Sequence, residues 1–223
     1  AIVKRFCLLL LLVVLVGSGA AGRGLRLHPE TAGELIYEQP YVDPEYAVGD
    51  YGSMLLADDV TPPGEWTIDG ICIWGCYLSS PQDFEVRVYS DNGGMPTGDD
   101  VLQSVAVPSS EVTVMYYDTF YYEGDEYGVY QIELELPEDI VLDSGETYWL
   151  VASLSGYGIF LQMVNRYAEY SYGLPACWSA DSGASWMRCA QQFDDQYSAM
   201  MELYGTAEQP VEPLSWGAIK ALD

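Results

Sequence analysis

The sequence predicts an all-β chain folded as a single antiparallel, jelly-roll-like β-sandwich. Three observations lead there. Short stretches alternate apolar and polar residues with period two, as in Phe84–Tyr89 (FEVRVY) and Tyr130–Leu136 (YQIELEL). Turn residues punctuate these stretches, most strongly at Asp91-Asn92-Gly93-Gly94, because Asn-Gly accepts positive φ. The composition holds 19 Tyr and 22 Gly against only 8 Lys and Arg together, a balance that suits strands and turns better than helices.

Taken in order, the body opens with a strand near Gly52–Ala57. Trp66–Leu78 reads as a long strand carrying Trp66, Ile68, Ile71 and Ile73, with a bend at Gly75. Phe84–Tyr89 turns Phe84, Val86 and Val88 inward. Met95-Pro96-Thr97-Gly98 extends the loop after it, and Val101–Val107 and Glu111–Tyr117 follow as strands. Tyr130–Leu136 places Ile132, Leu134 and Leu136 inward and Glu133 and Glu135 outward. Residues 137–143 turn the chain, and Asp143-Ser144-Gly145 leads tightly into Thr147–Leu154, whose near-continuous apolar run suits a central strand. Ile159–Val164 and Ser198–Tyr204 complete the body, which closes at Gly205. Trp66, Trp74, Tyr148 and Trp149 are expected to fill the core. The body contains no internal repeat and no helical pattern.

The ends set the compartment. Lys4 and Arg5 precede the apolar run Phe6–Val16, and the small residues of Gly17–Ala21 follow, the three parts of an export signal. The apolar run is shorter than a membrane-spanning helix requires, and no later run of spanning length follows. The expected organisation is a signal peptide over 1–21, an N-terminal lead over 22–50 and the sandwich over 51–206. A Pro- and acid-rich spacer over 207–214 and a short tail over 215–223 follow. In the tail, Ser215 caps a turn or two of helix that sets Trp216, Ile219 and Lys220 on one side, suited to docking on a partner. The product is expected to be secreted, with no membrane span after cleavage.

The formal net charge is -26. Loss of Lys4 and Arg5 deepens it. Such a surface repels nucleic acid and anionic lipid, so no nucleic-acid partner is expected, and it suits a solvated extracellular protein, a calcium-rich medium or a cationic partner. Four cysteines remain after processing: Cys72, Cys76, Cys177 and Cys189. In an exported chain an even count points to disulfides, and three pairings are open. Cys72 and Cys76 share one face of one strand but are too far apart to bond each other. Cys177 and Cys189 flank a hairpin with Ser182-Gly183 near its tip. Two bridges joining the 72/76 strand to this hairpin are the preferred arrangement. A Cys177–Cys189 bridge and a zinc site are the alternatives.

No catalytic constellation stands out. The single histidine, His28, lies in the lead beside Pro29, poorly placed to serve as a base. With 34 acidic residues some pair always falls at a glycosidase spacing, and no motif singles one out. Asp58, Asp59, Asp91, Asn92, Asp99 and Asp100 are hard oxygen donors at short spacing on Gly-rich loops, the chemistry Ca²⁺ uses. The same residues also build turns by themselves, and both readings stand. The segment Met115–Tyr130 is crowded with rings, among them Tyr116, Tyr117, Phe120, Tyr121 and Tyr122, and Trp178 and Trp186 lie in the cysteine hairpin. Flat rings stack on the apolar face of sugars, and Tyr on loops equally serves protein recognition. The expected ligand is therefore a glycan or another extracellular surface, bound without catalysis. A structural or adhesive subunit is the second reading, and a secreted hydrolase the third.

The ordered motifs resemble a family of secreted bacterial β-sandwich modules found in large extracellular proteins of uncultivated bacteria. The resemblance covers roughly Gly52 to Thr206. It rests on Ala57-Asp58-Asp59, Trp66-Thr67-Ile68, Trp74-Gly75, and the Phe84/Val86/Tyr89 strand with its Asp91-x-Gly93-Gly94-x-Pro96 loop. Gly145–Leu150 and Met200–Gly205 complete it. Val60 departs from the family pattern, where Phe often follows Asp-Asp, and so does the Tyr-rich insert. The resemblance implies export and a jelly roll akin to carbohydrate-binding and adhesion modules, and no shared catalytic residues.

Overall fold

In a computed structural model the chain is almost entirely antiparallel β-structure in two curled sheets, an all-β sandwich. The structure describes residues 33–39, 41, 46–51, 54–122, 125–156, 159–166, 173–193 and 197–208. The expected signal peptide over 1–21, His28, and the expected spacer and Trp216 tail beyond Glu208 lie outside the described residues.

In chain order the strands are β1 (Glu34–Gln39), β2 (Tyr46–Tyr51), β3 (Leu55–Val60), β4 (Trp66–Cys76), β5 (Phe84–Asp91) and β6 (Pro96–Val107). After a 3-10 turn at Ser109–Glu111 come β7 (Val112–Tyr122), β8 (Asp125–Leu142), β9 (Tyr148–Leu154) and β10 (Ile159–Arg166). The chain ends with β11 (Cys177–Ser179), β12 (Met187–Arg188), the short helix α1 (Cys189–Phe193), β13 (Tyr197–Ala199) and β14 (Met201–Ala207).

One sheet has the order β12-β11-β3-β9-β5-β6. The larger sheet centres on β4, with β8 on one flank and β14 on the other. Beyond Ile73, β14 gives way to β10, which pairs with Gly75 and Cys76. The chain switches partners at Met200, between β13 on β10 and β14 on β4, and the Met200 N–H donates to the Met163 carbonyl there. β1 and β2 extend the larger sheet, so the lead expected to be linker contributes two strands. Its composition hid them, because neither stretch alternates cleanly.

The alternation sorts the faces as expected. Phe84, Val86 and Val88 from β5 meet Ile71, Ile73, Ile132 and Leu134 from the larger sheet in one core. Phe84 and Phe160 pack edge to face across the sandwich, ring centres 5.6 Å apart. Burying these side chains drives the assembly, at roughly 1.5–3 kcal/mol for each large apolar residue. Trp66 and Tyr148 join this core, whereas Trp74 and Trp149 fill satellite clusters on the outer faces.

Two local predictions change. The turn expected over residues 137–143 is strand as far as Leu142, where β8 ends. Pairing with β4 jumps from Gly70–Glu135 to Ile68–Ile140, so Pro137 sits in a bulge where no ladder N–H is needed. Glu133 does point outward, as predicted, but is buried: the outer face of the larger sheet is covered, with Cys72, Trp74, Cys76, Met163 and Met200 packed on it. The body does not close at Gly205, since β14 stays paired with β4 through Ala207; Gly205 is needed because β14 crosses close to β4 there. A Cβ there would lie 1.9 Å from the Thr67 carbonyl oxygen, and its φ is 154°.

Candidate functional site

The Tyr-rich segment lies on two paired antiparallel strands, β7 and β8. Its register pairs Tyr116 with Tyr130, Thr119 with Gly128 and Tyr121 with Glu126. Tyr117 is the extra residue of a bulge between Tyr116 and Asp118, and this shift decides which rings share a face. Tyr116, Thr119, Tyr121, Glu126, Gly128 and Tyr130 fall on one side. Nearer the sandwich, that same side carries Val112, Val114, Ile132 and Leu134 and is core. The ribbon therefore runs past the core, and its residues change from Val, Ile and Leu to Tyr where cover is lost. Tyr116 is 63 % exposed and Tyr121 is 67 % exposed.

Packing fixes this face. The Tyr116 and Thr119 hydroxyls hydrogen-bond at 2.5 Å, and Tyr116 meets Tyr130 edge to face at 5.9 Å. Tyr130 is half-buried and leans along the strand over Gly128, where a Cβ would meet its ring at 3.1 Å. Gly128 thus lets an aromatic ring lie down against the sheet, as an aromatic residue does when it covers a strand glycine. The opposite side of the ribbon is closed. Phe120 is buried there with Tyr117 and Tyr127, and Tyr117 stacks edge-on against Tyr41, ring centres 4.8 Å apart. Tyr122 lies at the ribbon tip in β7, and its side chain lies outside what is described.

The other expected rings are committed to packing. Trp178 is buried with Leu56, Val164 and Tyr197. Trp186 is half-buried and packs edge to face on Tyr89 at 5.3 Å. The structure does not bring either of them to the tyrosine face.

The acidic residues expected to take calcium divide. Asp58 is fully buried between the sheets and accepts hydrogen bonds from Gln39 Nε2 at 2.8 Å and the Ala199 N–H at 2.5 Å, and from the Asp59 N–H. Burial, and then the neighbouring Asp59 charge, push its pKa well above the usual carboxylate range. Asp59 accepts from the Leu174 N–H at 2.6 Å, and burial raises its pKa to about 6 against the attraction of Arg188. Asp91 accepts from Trp149 Nε1 at 2.9 Å and from the Gly94 N–H. Arg188 sits over the Trp149 ring and donates to the Pro175 carbonyl. Asp59, Asp91, Trp149 and Arg188 thus form a polar clasp holding the loops before β6 and β11. Asn92 and Asp100 are exposed on the neighbouring loop, and the Asp99 side chain is outside what is described. Among the described residues, no three His, Cys, Asp or Glu side chains converge in a way that could hold a metal ion.

The disulfide expectation is corrected. Cys72, Cys76, Cys177 and Cys189 are all buried, and no disulfide joins any two of them. Cys72 and Cys76 face the outer side of the larger sheet, while Cys177 and Cys189 pack in clusters around β3 and β11. Spacing along the chain said nothing about which sheet each pair occupies. Burial lifts the Cys76 thiol to about 11 and Cys177 to about 12, so both stay protonated.

Sequence reasoning missed a buried carboxylate pair. Glu133, Cys72 and Glu202 form one row across β8, β4 and β14. Tyr204 donates its hydroxyl to Glu202 at 2.5 Å, and Gln131 Nε2 donates to Glu133 at 3.2 Å. Burial, with Glu202 as the second cause, raises Glu133 to about 7. The alternation YQIELEL put Glu133 outside, and nothing local announced that this outside is covered.

Neither a protein-family model nor a curated protein matches the chain.

Proposed function

We propose that the chain is a secreted, non-catalytic glycan-binding module whose contact surface is the tyrosine face of the β7–β8 ribbon. One observation carries this reading: Tyr116 and Tyr121 stay 63 % and 67 % exposed at the two ends of one face, whose Tyr116 end is held by Tyr130 and Thr119. Exposed large rings on a regular strand cost solvation without stabilising the core, which is the arrangement expected of a binding surface. Rings with few rotatable bonds lose little entropy when a ligand covers them. The signal-like start and the resemblance to exported bacterial modules agree with a ligand met outside the cell.

The test is binding of the full chain to a broad glycan and polysaccharide panel, first with calcium and then with chelator. Saturable binding that disappears in Tyr121→Ala supports the reading, and loss in chelator adds a metal to it. Absence of binding to every glycan in both conditions overturns it in favour of a structural or adhesive subunit.

A further inference from the structure

The glycan-binding reading leaves the class of sugar open, and the electrostatics of the tyrosine face narrow it. Between Val112 and Leu142 every formal charge is negative, with no Lys, Arg or His in the whole ribbon. Glu126 is exposed on the tyrosine face itself, directly opposite Tyr121 in the strand register. Directly opposed residues on one face hold their Cβ atoms about 5 Å apart, so a group resting on the Tyr121 ring lies within reach of the Glu126 carboxylate. The Thr119 hydroxyl is already engaged with Tyr116. The basic side chains described elsewhere are committed on the other sheet, Arg87 to Glu85 and Arg188 to Pro175 and Trp149. The chain as a whole carries -26.

We infer that the face takes an amino-sugar polysaccharide with free ammonium groups, a deduction that rests on the glycan-binding reading. The pyranose rings lie on Tyr116 and Tyr121, and an ammonium group meets Glu126 and the electron-rich faces of the tyrosines. The face runs about 13 Å from Glu126 to Tyr130 at the usual rise per strand residue, enough for more than one sugar ring. Uronic-acid and sulfated glycans meet a negative field on a ribbon that carries no basic residue, and they are expected to bind more weakly.

The experiment titrates the full chain with three probes by calorimetry: a glucosamine oligomer, its fully N-acetylated counterpart and a cello-oligomer of equal length. A lysine oligomer of matching charge controls for simple attraction to an acidic protein. The glucosamine oligomer is expected to bind about fivefold tighter than the N-acetylated one in low salt, with most of the difference gone at high salt. Glu126→Gln is expected to erase the difference while keeping ring-dependent binding, and Tyr121→Ala to abolish binding of both. Equal affinity for charged and neutral sugars, or a preference untouched by Glu126→Gln, overturns the inference and leaves the binding module standing. Glucosamine binding that survives Tyr121→Ala, or that the lysine oligomer matches, is nonspecific attraction and overturns it as well. If no sugar in the panel binds, the glycan reading fails with it.

Discussion

The buried Glu133–Glu202 pair makes a prediction opposite to the usual behaviour of carboxylates. Glu133 is 7 % exposed, and in the fold its pKa rises from 4.5 to about 7, through burial first and Glu202 second. A raised carboxylate pKa means the folded chain binds the proton more tightly than the unfolded chain. The contribution of this group to stability is therefore greatest below about pH 4.5 and is lost as pH climbs through about 7. Ionising it in place costs up to roughly 3.5 kcal/mol, the gap between the two pKa values converted at about 1.4 kcal/mol per unit. Glu133→Gln removes the charge and keeps an oxygen for Gln131 Nε2. The variant is expected to match the parent at pH 4.5 and to exceed it by about 2–3 kcal/mol at pH 8, since relaxation around the charge trims the ceiling. Urea unfolding at four pH values measures this directly, with a midpoint shift on the order of 1 M at pH 8. A variant less stable than the parent at pH 8, or a difference that does not change with pH, refutes the reasoning.

Other perturbations probe the remaining parts of the structure. Gly205→Ala drives a Cβ into the Thr67 carbonyl at 1.9 Å and should cost at least about 2 kcal/mol in thermal unfolding, whereas a neutral effect would show that β14 and β4 do not cross so closely. Asp58→Ala leaves the Ala199 N–H and Gln39 Nε2 without their acceptor between the sheets, a loss of roughly 1–3 kcal/mol by chemical denaturation. Maleimide should label Cys72, Cys76, Cys177 and Cys189 only after unfolding, because all four are buried; an intact mass lighter by the hydrogens of a bridge in the native chain would contradict the absence of a bridge among them. Tyr121→Ala should leave stability within about 0.5 kcal/mol of the parent, because the ring is exposed, so any loss of binding it causes is local.

Much of the sandwich was legible because its core follows the simplest rule. Phe84, Val86 and Val88 alternate with polar neighbours, and the inner face of β5 is where they lie. The same rule failed where a face other than the core is covered. Glu133 alternates outward correctly and is buried all the same, because long-range packing on the outer side of β4 leaves no local trace. The Tyr-rich segment was legible as unusual, but a one-residue bulge at Tyr117 decides that Tyr116 and Tyr121 share a face while Phe120 turns away and is buried. The Asp58-Asp59 pair signalled a polar site, but its partners come from Gln39, Leu174 and Ala199, far away in the chain. The cysteine pattern misled for the same reason: spacing constrains a bridge only after the sheets are assigned.

The central claim is that the uncovered tyrosine face of the β7–β8 ribbon is a ligand surface. Its most direct test measures glycan binding by the full chain beside a Tyr116→Ala/Tyr121→Ala double variant, with melting temperatures taken on the same samples. The account predicts saturable binding by the parent, none by the double variant and melting temperatures within a few degrees of each other. Equal binding by both chains would place the ligand surface elsewhere and contradict the account.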